Sequence, residues 1–148
     1  MNSTKDSSEF FASIRVYIED TDAGGVVYYV NYLKFMERAR TDFLRSLGFP
    51  KAALLNDELN IVVVSASIDY KRSAVLDDEL HVTANIVDLG RTYMVFEQSV
   101  YREGGGERRE LLASGRIKVA CINHAKGRPA AFPSHMSETI KQYLGDVN

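Results

Sequence analysis

Residues 15–32 read RVYIEDTDAGGVVYYVNY, with three carboxylates, Glu19, Asp20 and Asp22, followed by the pair Gly24–Gly25. A carboxylate can serve as a general base on water or as a nucleophile on a carbonyl carbon. Either role is helped by donors that stabilise the oxyanion formed at the attacked carbonyl, and the unpaired N–H groups of a helix start are such donors. This loop leads straight into a helix start, whose dipole also favours negative charge. The glycines would let backbone approach a ligand with no Cβ in the way. The plain alternative is a tight turn, in which Asp caps backbone N–H groups and Gly supplies positive φ. On the residues alone both readings stand.

Other chemistries have less behind them. The chain carries no GxSxG elbow, P-loop, GxGxxG or HExxH. His81, His124 and His135 are scattered, lack metal-ligand spacing and read as solvated strand or loop residues. Cys121 shares a strand face with Ile117 and Val119 and reads as a small buried hydrophobe. As the only cysteine it excludes an internal disulfide and suits a reducing cytoplasm. Glu37, on the coming helix beside Arg38 and Arg40, reads as structural.

The elements that must position the loop follow from periodicity. Residues 1–12 read as a loose polar arm and 13–18 as a short strand. Tyr32, Met36, Ala39, Phe43 and Leu47, widened by Leu33, Phe35 and Leu44, mark an amphipathic helix over 30–47. Gly48 and Pro50 stop it. The period then changes to two. Strands are predicted at 61–70, with Val62, Val64, Ala66 and Ile68 on one face, and at 79–88, 92–101 and 110–123. A GGGE loop at 104–107 makes a hairpin between the last two, and Gly115 is expected to mark a bend or bulge. A short helix at 137–144 closes the chain. One apolar helix lying across one antiparallel sheet is an α+β arrangement. The exposed sheet edge argues for pairing in a homodimer.

The 148 residues suit one domain spanning 1–148, 45% hydrophobic and 26% charged, with a formal net charge of −2. The absence of a basic stripe argues against nucleic acid as the main partner. Nowhere do the roughly 18–20 consecutive apolar residues of a membrane span occur, so no membrane insertion is expected. The first residues do not follow a signal-peptide pattern, and a cytoplasmic location is the expectation.

The segment YIEDTDAGGVVYYVNYLKFMERARTDFLRSLG, residues 17–48, closely resembles the hot-dog fold acyl-CoA thioesterases. The nearest likeness is to the 4-hydroxybenzoyl-CoA thioesterase family in its Tol–Pal-associated branch. The pattern D-x-D-x-x-G-x-V-Y, the following Y-x-x-x-x-E-x-A-R, and downstream DYKRSAVLDDEL and GRIKVACIN carry the match. The resemblance implies hydrolysis of an acyl-CoA thioester with no metal and no cofactor. It places the catalytic carboxylate on Asp22, as general base or as nucleophile through a transient mixed anhydride. The oxyanion donor falls on the backbone N–H of Tyr29, and Gly25 gives the loop its geometry. Asp20 would shape the loop. Lys71 and Arg72 lie just past a strand end, where they would suit the CoA phosphates; the alternative is a solvated basic turn.

The resemblance also implies a homo-oligomer, dimer or tetramer, with the site at a dimer interface. A carrier-protein thioester is a possible substrate beside acyl-CoA. Many of the branch carry His where Tyr29 stands, and some carry Tyr where Ile18 stands. His-assisted proton transfer is therefore not implied here, nor is their acyl preference. Two further readings follow: a non-catalytic module that binds acyl-CoA or an acyl-carrier protein, and an enoyl-CoA hydratase. The hydratase would bring an Asp–His pair on the capping loop, and no His lies there.

Overall fold

The apolar stripe of the first helix becomes α1, Asn31–Ser46, in a computed structural model that describes residues 9–51, 55–104 and 109–147. Tyr32, Phe35, Met36, Ala39, Phe43 and Leu44 are buried on its inner face, whereas Leu33, counted in the stripe, is exposed. Gly48 ends the helix as expected, with φ at +101°. Phe49 N–H reaches Leu44 O at 3.0 Å and Gly48 N–H reaches Arg45 O at 2.9 Å, a Schellman closure that glycine permits.

The sheet is antiparallel throughout. Its strands are β1 (Phe11–Arg15), β2 (Leu59–Tyr70), β3 (Glu79–Thr83), β4 (Asn85–Leu89), β5 (Tyr93–Glu103), β6 (Arg109–Asn123) and β7 (Arg128–Pro129). The main order is β1-β3-β5-β6-β2, with β4 on β5 and β7 on β6. A second helix, α2 (Ser134–Val147), follows; it starts earlier and ends later than the short helix expected from the sequence. α1 packs on β1, β3 and β5, and its aromatic side chains Phe35 and Phe43 are fully buried with Phe96 of β5. Among the described residues no helix is long and apolar enough to cross a membrane.

Four expectations need correction. The first strand lies two residues earlier than 13–18 and takes in Phe11 and Ala12 of the supposed loose arm. Arg15 is already opposite Glu79, the first residue of β3, and beyond it Val16 bonds to Asp77 and Asp78 of the turn before β3. Ile18 lies instead in the one-turn 3-10 helix Ile18–Asp20.

The strand expected at 79–88 breaks at Ala84. There the main-chain ladder gives way to side chains: Ser99 N–H donates to Thr83 Oγ1 at 2.9 Å, and Gln98 Nε2 donates to Thr83 O at 3.0 Å. Ala84 N–H turns away to Phe10 O.

In β2 the facing is also different. Val63 pairs with Val119 and Ser65 with Lys118, so Val64 is an extra, bulged residue. Ile61 and Val63 therefore share a face with Ala66 and Ile68, and Val62 does not.

Gly115 sits at no bulge; the β6 irregularity against β5 lies at Leu112. A Cβ on Gly115 would stand 3.2 Å from Met36 Sδ and from Ile68 Cγ1, so the glycine lets α1 approach the sheet. Of the GGGE loop, residues 105–107 lie outside the described residues.

Candidate active site

The loop carrying the three acids is a small closed hairpin. Asp22 N–H donates to Val26 O at 2.9 Å, Gly25 N–H donates to Asp22 O at 3.1 Å, and Thr21 pairs with Val27. Its outer arm is pinned to residues 74–75: Val27 N–H donates to Ala74 O at 2.8 Å, and Val26 pairs with Val75. Its base is tied to the start of α1 through one carbonyl. Asp20 O accepts Tyr28 N–H at 3.1 Å and the Asn31 side-chain amide at 2.8 Å. Asp20 itself is 4% exposed, and its carboxylate caps Tyr17 N–H at 2.9 Å. The burial and bonding fit a loop-shaping role for Asp20. Asn31 was missed in the sequence; it is the first residue of α1 and its side-chain amide donates to the loop rather than capping a helix N–H.

Asp22 differs from Asp20 in being exposed. Its Oδ1 accepts Gly24 N–H at 2.8 Å, an Asx-type turn that fixes the side chain and leaves Oδ2 with no partner among the described residues. Thus the turn reading and a presented carboxylate coexist in one residue. Gly25 has φ of +85° and open space where a Cβ would stand. Its backbone conformation, rather than crowding within the chain, demands glycine. Gly25→Val should leave the protein folded with Tm lowered by a few degrees, at about 1–2 kcal/mol of strain. It should cost more activity than stability, read as thermal melting against turnover.

The entry into α1 supplies the donors. Asn31, Tyr32 and Leu33 N–H groups bond back to Tyr28, Tyr29 and Val30 carbonyls at 2.8, 3.2 and 3.1 Å. The N–H groups of Tyr29 and Val30 donate to no acceptor among the described residues. Orphan donors at a helix start are an anion site in waiting.

Tyr28, Tyr29 and Val30 are all exposed, so water or a ligand can reach these groups. Tyr29 and Tyr28 rings lie 5.1 Å apart, and Tyr70, from the end of β2, stands edge-on to Tyr29 at 5.8 Å. Tyr32, 2% exposed, backs Tyr70 at 5.5 Å and accepts Ala74 N–H through its hydroxyl at 2.8 Å. Burial pushes the Tyr32 hydroxyl above its ordinary pKa, so it stays protonated. Tyr70 had no signal in the sequence, because only the fold brings the end of β2 to the start of α1.

Lys71 and Arg72 follow directly, and their N–H groups share Leu112 O at 2.8 and 3.1 Å. Arg72 Nε pairs with Glu110 Oε2 at 3.1 Å, so that guanidinium already has a carboxylate; the Lys71 ammonium has none among the described residues. Glu110 also holds Arg102, which reaches Asp78 and Ser73 O.

Glu37, on α1, lines one cavity together with Tyr17, Glu19 and Asp20 of this loop. His81 is not a solvated residue: its ring stacks on Phe11 at 4.2 Å, and Nδ1 lies 2.7 Å from Glu103 Oε2. The neighbouring strands β1 and β5 close over it. Cys121 is buried, as expected, and burial raises its thiol pKa. Glu37 is exposed and has no ion pair within reach among the described residues. Arg40, three residues on, is 8% exposed and donates to Gln98 Oε1 at 2.9 Å. Burial lowers its pKa, and the nearby Glu37 carboxylate raises it.

Comparison with known proteins places this arrangement. Residues 16–140 match the model of the thioesterase-like superfamily. The acyl-CoA thioesterase YbgC of Haemophilus influenzae is 42% identical over 128 residues, 86% of this chain and 90% of that protein. The crystal structure of a probable thioesterase from Bartonella henselae superposes with a TM-score of 0.71 at 34% identity, over 84% of this chain and 98% of the other. BH1999, a gentisyl-coenzyme A thioesterase, superposes with a TM-score of 0.76 at 28% identity, over 87% and 98%. With its helix laid across a curled antiparallel sheet, the chain belongs to the thioesterase-like superfamily, has the hot-dog fold and is a thioester hydrolase.

Proposed function

We propose that the protein hydrolyses an acyl-CoA thioester to the free acid and CoA, with Asp22 as the catalytic carboxylate and Tyr29 N–H as the oxyanion donor. One observation carries the reading. A carboxylate oxygen and a backbone N–H that both lack a partner among the described residues occur on the two ends of one loop that is tied to a helix start.

As general base, Asp22 takes a proton from water while the oxygen attacks the carbonyl carbon. The oxyanion forms at Tyr29 N–H, the tetrahedral species collapses, the C–S bond breaks, and the thiolate receives the proton. As nucleophile, the carboxylate adds to the carbonyl directly and displaces the thiolate, and water then cleaves the mixed anhydride. Both routes use the same donor. Losing one such donor costs roughly 3–4 kcal/mol in other acyl-transfer enzymes. Gly25 holds the loop in the conformation that presents Asp22.

Lys71 and Arg72 bind the CoA phosphates. The free Lys71 ammonium supports this, and the exposed Arg72–Glu110 pair can exchange its carboxylate for phosphate. A thioester on an acyl-carrier protein offers the same reacting group. The working form is a homo-oligomer, in which β2, a 12-residue edge strand with Val63 and Val64 half exposed, pairs with a second copy. The enzyme works in the cytoplasm, where its single thiol stays reduced.

The test is a panel of acyl-CoAs, C2 to C16 with benzoyl types, with released CoA trapped by a thiol reagent and mass measured by light scattering. Release from at least one, by a particle of at least two chains, is the expected result. Tight binding of acyl-CoA with no release would replace hydrolysis by a binding module.

A further inference from the structure

We propose that Arg102 is a positioning residue for this site: its guanidinium holds the segment that pins the Asp22 loop and, through Glu110, the Arg72 side chain at the start of that segment. The inference rests on the acyl-CoA hydrolysis proposed above.

Arg102 stands where a charge is costly. Alternation along β5 puts it on the face of Phe96, Gln98 and Val100, each at most 1% exposed, and opposite the buried Leu80 of β3. A guanidinium at the end of a core face must find acceptors, and this one finds three. Nη1 donates to Asp78 Oδ2, Nη2 to Ser73 O at 3.2 Å and Nε to Glu110 Oε1 at 3.1 Å. The Arg102 side chain is 24% exposed and that of Asp78 16%. Water therefore competes less here than at the open pairs Arg45–Asp42 and Arg116–Glu97.

Each acceptor leads into the site. Asp78 Oδ2 also accepts Val75 N–H at 2.9 Å, and Val75 is the bridge partner of Val26 in the Asp22 loop. Ser73 precedes Ala74, whose carbonyl takes Val27 N–H at 2.8 Å and whose N–H goes to the Tyr32 hydroxyl of α1. Residues 73–75 are thus held by Arg102 through Ser73 and Asp78, and hold the loop and helix start through Ala74 and Val75. Glu110 is divided between two cations: Oε1 faces Arg102 and Oε2 faces Arg72. When a CoA phosphate draws Arg72 away, Arg102 keeps Glu110 paired, which lowers the cost of the exchange. Arg102 touches no reacting atom. It acts through residues 73–75 on the placement of Asp22 and Tyr29, and through Glu110 on Arg72.

An acyl-CoA and the S-acyl pantetheine of the same acid share the reacting thioester, and only the first carries phosphates. Arg102→Met keeps an apolar stem on the sheet and removes the fork. It is expected to lower kcat on both substrates by roughly 10- to 100-fold, the scale for a small misplacement of a catalytic group. KM is expected to rise by about two- to fivefold on the acyl-CoA alone, because Glu110 then has only Arg72 to hold. Rates are taken well below the Tm of each variant, so that lost stability by itself cannot divide the two substrates. Arg102→Lys puts one ammonium in place of a three-way fork and falls between Arg102→Met and wild type in kcat. It keeps the charge, and it serves as the second probe if Arg102→Met does not fold; wild-type kcat in Arg102→Lys then overturns the proposal. So does kcat within threefold of wild type in Arg102→Met, or a KM that rises equally on both substrates, while hydrolysis stands. If the wild type cleaves no thioester at all, the underlying hydrolysis has failed, and the positioning role with it.

Discussion

Asp22→Asn lowers kcat on the best acyl-CoA by about 100-fold or more, about 2.7 kcal/mol of barrier, while the protein stays folded. The reasoning begins with the two oxygens. Oδ1 is occupied by Gly24 N–H at 2.8 Å, and an asparagine carbonyl oxygen can keep that bond. Oδ2 becomes an amide nitrogen, which neither accepts a proton from water nor attacks a carbonyl. Loop shape and charge transfer are thus separated by a single substitution. Asp22 is exposed and makes no ion pair among the described residues, so the change should leave Tm within a degree or two. KM should move little, because the donors at Tyr29 and Val30 are untouched. Steady-state kinetics beside a melting curve checks both. Activity within threefold of wild type would remove Asp22 from the chemistry and leave the helix-start donors to act with another base.

The largest stability effect is expected at Gln98, far from the loop. Gln98 is 1% exposed and makes three bonds: Nε2 to Met36 O and to Thr83 O, each at 3.0 Å, and Oε1 from Arg40 at 2.9 Å. Gln98→Leu leaves the Thr83 carbonyl without its partner at the strand break. It also leaves the buried Arg40 guanidinium without its acceptor. Removing one partner of a buried charge typically costs about 3–5 kcal/mol. For a chain of this length that lowers Tm by roughly 10 °C.

Adding Arg40→Met should recover a good part of the loss, since the stranded charge is then gone and a flexible thioether fills its space. Denaturant titration of the two single variants and the double gives the coupling directly. If the double variant is as unstable as the sum of the singles, the two side chains do not act as a unit.

How much of this was legible beforehand depends on the range over which each feature is decided. The helix over 31–46, its stop at Gly48 and the hairpin geometry of the DTDAGG loop were readable because their causes are local. A 3.6-residue apolar stripe, a left-handed glycine and an Asx turn act over a few residues. Recognition of the family rested on the same stretch, since chemistry there needs particular residues at fixed spacing. Asp22 and Tyr29 N–H could be named as candidates before any fold was known, and so could Gly25.

What only the tertiary structure decided are the places where two distant segments compete for one partner. The strand at 79–88 alternates well enough to continue, yet it breaks at Ala84, because Phe10 takes its N–H and Gln98 and Thr83 side chains replace the ladder. Alternation put Val62 and Val64 on one face with Ala66 and Ile68; pairing with β6 bulged Val64 and put Ile61 and Val63 on that face instead. Gly115 looked like a bulge and is a gap for Met36. Arg40 lay at the edge of a helical stripe, and only the approach of β5 buried it against Gln98. Tyr70 is 41 positions from Tyr29, and closure of the edge strand onto the helix start set their rings edge to face. Periodicity records which face a residue prefers; register and packing, which no short window contains, decide which neighbour it meets.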